Sequence, residues 1–214
     1  MAYSNFTLAK VKEDFGLTVD ETQNLFTEVP GVHPSELLTL TLAESIPLAT
    51  AIDTEKARSE FIIAPVLSEV RRQVNYQVSL FSGTDFNVDI EKGLQGYCDF
   101  ILSCSAEQFY INAPVITIAE AKNEKIPSGF GQCIAEMVAA QIFNQRAGNK
   151  IYKIYGAVTT GTAWRFLVLE ERTRINELYQ NSLKRMEFLG EKKRWAKKFP
   201  TSNPMEVINL LMRI

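Results

Sequence analysis

The sequence predicts an α/β protein whose mixed β-sheet carries helices on its faces. Three observations predict it. Two apolar runs, 97–103 and 114–122, are short, as strands are, and the second is rich in β-branched residues. An alanine-rich stretch, 129–147, has the composition of a helix packed closely on a sheet. The order helix, strands, helix, strand pair then places helices between strands of one sheet. At 214 residues, with no internal repeat, low-complexity tract or Gly/Ser linker, the chain reads as one domain, 1–214. Within it we expect a core over about 55–168, an N-terminal extension 1–52 and a basic helical C-terminus 170–214.

The elements follow in order. In the first fifty residues short apolar runs are broken by Pro30, Pro34 and Pro47, and Ser35-Glu36-Leu37-Leu38 has the form of a capped helical turn. Asp53 or Thr54 can cap a helix running to about Val74, which Pro65 should kink or restart. Asn75 to Phe81 alternates as a strand does, with a turn at Gly83-Thr84-Asp85. The strands Tyr97–Ser103 and Pro114–Lys122 come next, then the helix 129–147 started by Ser128. Ile151–Val158 and Trp164–Leu169 form two strands around Thr159-Thr160-Gly161-Thr162, a hairpin. A polar helix from Glu170 to about Leu189 and a short one begun by Asn203-Pro204 complete the chain.

Composition limits the chemistry. Hydrophobic residues make up 46% and charged residues 22%, which argues against disorder, and no run approaches the ~20 apolar residues of a membrane span. The first ten residues lack a signal-peptide pattern, so we expect a cytoplasmic protein with no membrane partner. Cys98, Cys104 and Cys133 have no metal-site spacing and read as reduced core residues, and His33 stands alone in a Pro-Gly-Val-His-Pro loop. Chemistry must therefore come mainly from carboxylates, amides and lysines. The net charge of −2 is unevenly spread, with residues 1–60 at −6, 61–171 at −2 and 172–214 at +6. The basic end, with Lys192, Lys193, Arg194, Lys197 and Lys198 around Trp195, offers cations to a phosphate backbone and a ring for a base to stack on, though a solvated helix face explains it too.

One cluster stands out. In the strand 114–122 the residues Ile116, Ile118, Glu120 and Lys122 share a face, so an apolar row ends in an acid and a base. A buried carboxylate costs several kcal/mol unless paired or metal-bound, so this end of the strand should open into a cleft. Asp99 sits between Cys98 and Phe100 on the preceding apolar strand, where an acid is a poor strand former. Two carboxylates plus waters is how Mg²⁺ is usually held. Glu69 lies on the helix before, and Gln132 and Glu136 share a face early in the helix after.

At these residues the chain resembles the PD-(D/E)XK phosphodiesterase superfamily. The family pattern is an acid on a helix, an Asp on one strand, Glu-x-Lys on the next, then a helix often bearing Gln. Here these are Glu69, Asp99, Glu120-Ala121-Lys122 and Gln132. Two positions depart from it: Glu136 stands where related nucleases carry Tyr, and Cys98 where a proline often precedes the Asp. The resemblance implies a restriction-endonuclease-like mixed sheet flanked by helices, and a Mg²⁺-dependent nuclease in which Mn²⁺ can substitute. It implies that Asp99, Glu120, the Ala121 carbonyl and Glu69 hold the metal. Lys122 then orients and helps deprotonate the attacking water, and Gln132 binds water or phosphate. The implied partner is nucleic acid, DNA in preference to RNA, with a homodimer left open. The alternative is a relative of this fold that binds nucleic acid or protein and no longer cuts.

Overall fold

Short alternating segments seek partners on both edges, and among the described residues seven of them join one sheet. The computed structural model describes residues 2–20, 33–123, 125–149, 151, 153–170 and 194–196. The strands are β1 (Thr18–Asp20), β2 (Ser79–Asp85), β3 (Tyr97–Ser103), β4 (Val115–Ala121), β5 (Lys153–Thr159), β6 (Trp164–Glu170) and β7 (Arg194–Ala196), in the spatial order β1-β7-β6-β5-β4-β3-β2. β4 and β5 run parallel, as do β1 and β7, and the other neighbours are antiparallel. The sheet is therefore mixed, and the parallel β4–β5 pair is joined by a helical crossover.

Helices cover both faces. On one lie α1 (Leu8–Asp14) and α5 (Phe130–Arg146), packed with Tyr3, Phe6, Ile101, Val158, Leu167 and their neighbours into one apolar cluster. On the other lie α2 (Glu36–Ile52), α3 (Glu55–Arg58) and α4 (Ala64–Gln73), which bury Leu38, Val66 and Leu67 against Phe100, Ala119, Ala121, Trp164 and Phe166. Burial of a large aliphatic side chain is worth about 1.5–3 kcal/mol, so these two interfaces dominate folding. Among the described residues no helix is long and apolar enough to cross a membrane.

The N-terminal region is less separable than its sequence suggests. Tyr3 is buried, and its hydroxyl donates to the Phe86 carbonyl at 2.6 Å. A Cβ on Gly131 would stand 2.2 Å from the Phe6 carbonyl oxygen, so the chain at Phe6–Thr7 lies directly against the start of α5. Residues 3–17 and α2 thus belong to the core, which is wider than 55–168. Ser35 caps α2 as expected, accepting from the Leu38 amide, but the helix continues for 17 residues through Pro47. A proline inside a helix forfeits a hydrogen bond, and here buried Leu38, Leu42 and Ala49 offset that loss.

Pro65 acts as its ring geometry requires. Thr54 caps α3, residues Ser59–Ile63 form a π-helical turn, and α4 restarts with Pro65 in its first turn, where no amide is needed. Three local expectations are corrected. Gly83-Thr84-Asp85 continues β2; the turn lies earlier, at Asn75 and Tyr76, which take positive φ of 54° and 57°. Ser128 does not cap α5: its hydroxyl donates to the Lys125 carbonyl and closes a 3₁₀ turn, leaving Gly129 at the cap position. Cys98 and Cys133 are buried as expected, whereas Cys104 is exposed. Beyond Glu170, Arg194–Ala196 is a strand, so the basic C-terminus is not helical throughout. The helices expected at 170–189 and from Asn203, and Lys192, Lys193, Lys197 and Lys198, lie outside the described residues.

Candidate functional site

Register brings the two principal acids together. Phe100 pairs with Ala119 and Ile101 with Ile118, and the ladder ends there, one residue short of Asp99 and Glu120, whose charges act on each other across the two strands. The Ala121 amide donates to Asp99 Oδ2 at 2.8 Å, which ties the two strands at that point. On the outer side Ser82 pairs with Phe100 and Thr84 with Cys98, so Gly83 flanks Asp99 with no side chain. Val158 belongs to the α5 layer while Ala119 and Ala121 belong to the opposite one, so Glu120 faces α5, where its charge and that of Asp99 both act on Glu136.

Lys122 follows on the same side. Its ammonium donates to Glu120 Oε1 at 2.5 Å, and the lysine side chain keeps 19% exposure against 1% for Glu120. Its stem lies beside Gly129, where a Cβ would meet Lys122 Cε at 3.1 Å and Val158 Cγ1 at 2.7 Å. Only glycine at the start of α5 lets the lysine pass. Glu136 comes from about two turns further along α5, fully buried, and accepts from the Gln132 side-chain amide at 3.1 Å.

The electrostatics are those of too much negative charge in a dry place. Burial, and then the Asp99 charge, push Glu120 up to about 8, against the opposing pull of Lys122. Burial, with Glu120 as the next cause, raises Glu136 well above the ordinary carboxylate range. Burial acts to lower Lys122, but Glu120, Glu55 and Asp99 together outweigh it and raise the amine. Glu120 Oε2 and Glu136 Oε2 are both buried without a hydrogen-bond partner. Such atoms are rare in folded proteins and call for an explanation.

A hard cation is one. Asp99, Glu120 and the Ala121 carbonyl would supply oxygen ligands of the kind Mg²⁺ prefers, with waters completing its shell, and the unpartnered Glu120 oxygen fits that use. Among the described residues no three His, Cys, Asp or Glu groups form a cluster that could hold a metal by themselves. The oxygen set here is two carboxylates and a backbone carbonyl.

Glu69 does not join this site. It accepts from the Ser35 amide and hydroxyl, each at 2.9 Å, from Gln73 at 2.8 Å and from Arg72, which fixes the start of α2 to α4. Burial would raise its carboxyl, but these donors hold it below its ordinary value. The reason is geometric: Glu69 packs in the α2–α4 layer, while Glu120 faces α5. The acid sensed by Glu120 and Lys122 from that layer is Glu55, in the first turn of α3. Its only mark in the sequence is its place just after the Thr54 cap. Gln132 reaches the site through Glu136. Trp164 and Phe166 stack with ring centroids 6.1 Å apart in the opposite layer, which makes them core residues. Burial pushes the Cys98 and Cys133 thiols up, so neither is a ready nucleophile. No protein-family profile matches the chain, and no curated protein matches it.

Proposed function

We propose that this protein is a Mg²⁺-dependent nuclease with a restriction-endonuclease-like core, hydrolysing phosphodiester bonds at Asp99, Glu120 and Lys122. The observation that carries this reading is the meeting of Asp99 and Glu120 across β3 and β4, with Lys122 on Glu120 and a buried Glu120 oxygen left unpartnered. Mg²⁺ held by Asp99, Glu120 and the Ala121 carbonyl would polarise the phosphate and stabilise the leaving oxyanion. Lys122, the more exposed member of its pair, orients the attacking water as a hydrogen-bond donor, since the surrounding acids keep its amine protonated and leave the deprotonation to the metal. Glu136 and Gln132 back the site from α5, and Glu55 adds negative charge from α3. A stretch from Lys192 to Lys198 would hold DNA by its backbone, in a salt-dependent way.

The second reading is a relative that binds and does not cut. It is favoured by the engagement of Glu69 in a structural cluster, which leaves the site one acid short of the family pattern. The test is cleavage of single- and double-stranded DNA and RNA with Mg²⁺ or Mn²⁺, against a chelator control. Lys122→Ala should abolish cleavage and keep Mn²⁺ affinity; Asp99→Ala should remove both. A wild-type protein that neither cuts any substrate nor binds metal overturns the nuclease reading.

A further inference from the structure

Resting on that nuclease reading, we propose that Arg165 binds the phosphodiester backbone of the substrate, as the cationic end of a row running across the sheet from Asp99. The row follows from register: Asp99 stands one residue past the Phe100–Ala119 pair beside Glu120, Glu120 pairs with Val158, and Val158 pairs with Arg165. Leu167 and Leu169, two and four residues along β6, belong to the α5 layer, while Trp164 and Phe166 belong to the other. Arg165 therefore stands on the face that carries Glu120. Two strand spacings, about 10 Å, separate its backbone from that of Glu120.

Its hydrogen bonding is incomplete. Arg165 Nη1 donates to the Trp164 carbonyl at 3.0 Å, whereas Nε is buried without a partner. The other arginine side chains described are committed: Arg58 to Asp53, Arg72 to Glu69, Arg146 to Asp89, and Arg71 to the Val78 carbonyl and the Tyr76 ring. A half-buried guanidinium with no acid or ring of its own, five donors and one acceptor met is the donor set that a phosphate oxygen pair satisfies. Burial also disfavours its charge, a cost that a bound anion would return. Between Lys122 and Arg165, Val158 lies under Gly129, so the start of α5 borders the space between them, and its dipole favours an anion there.

The experiment uses the full chain and short fluorescein-labelled DNA, single-stranded and duplex, with Ca²⁺ in place of Mg²⁺ to prevent cutting. Anisotropy is followed between about 50 and 200 mM salt. Arg165→Gln should weaken binding about tenfold and reduce the slope of log affinity against log salt by about one. Arg165→Lys should keep the slope and lose part of the affinity, since an ammonium lacks the planar fork. Mn²⁺ affinity should not change in either. If the glutamine variant melts early, Arg165→Met, which keeps the stem's packing and removes the charge, takes its place with the same expectation. A folded neutral variant with wild-type affinity and slope overturns the assignment while the nuclease reading stands. A wild type that binds neither DNA form and cuts nothing overturns both.

Discussion

Replacing Glu120 by Gln tests the origin of the site's charge. A carboxyl raised from 4.5 to about 8 contributes its full share of stability below pH 4.5, and that share is lost as pH rises through 8. Over this interval the loss amounts to about 5 kcal/mol if nothing relaxes. Lys122 stays bonded to Glu120 and is open enough to admit water, so we expect about 2 kcal/mol to survive relaxation. In a chain of this size that is a shift of about 4–8 °C in melting temperature. Glu120→Gln keeps the side chain's shape, and its like-charge neighbour Glu136 is relieved by the same change. The assay is thermal unfolding of both proteins at pH 5 and pH 9. The melting temperatures should lie close at pH 5, and the variant should melt several degrees higher at pH 9. Millimolar Mg²⁺ at the higher pH should raise the wild type and leave the variant alone, because only the wild type keeps both carboxylate ligands. A variant that melts lower than wild type at pH 9 would refute the reasoning, since Glu120 would then be a net stabilising member of its ion pair.

Glu69→Gln should cost about 1–3 kcal/mol through the lost charge-assisted bonds to Ser35 and Arg72, and should leave cleavage per folded molecule unchanged, as read by chemical denaturation beside the cleavage assay. Because Glu69 is held below its ordinary value, its contribution is present above pH 4.5 and disappears as pH falls through the folded value, so the variant should also show weaker acid destabilisation in a pH series of melts. Gly129→Ala pushes a methyl into Val158 and the Lys122 stem. It should cost about 1–3 kcal/mol and lower kcat more than it raises KM, and an alanine variant with wild-type kcat would show that the lysine's path does not depend on this glycine.

The amino-acid sequence determined the strands β3 to β6, because each is a short apolar run bounded by turn residues, and local alternation is strong enough to read without a partner. It also put Glu120 and Lys122 on one face of β4, since a strand's period of two fixes which side chains share a face, whereas Asp99 comes to them through the pairing of β3 with β4. Long-range packing decided the rest. Glu69 has the spacing of a site acid, but which face of the sheet its helix covers is set by the burial of Val66, Leu67 and Val70. That burial carries it to Ser35 and brings Glu55 toward the site instead. Pro47 reads locally as a break, yet the apolar face of α2 pays for its missing hydrogen bond once there is a sheet to bury against. Arg165 was visible only as a charge between two aromatic residues. Its alignment with Glu120 exists through the pairing of β4, β5 and β6, and register between strands distant in the chain is a property of the folded sheet that no single segment contains.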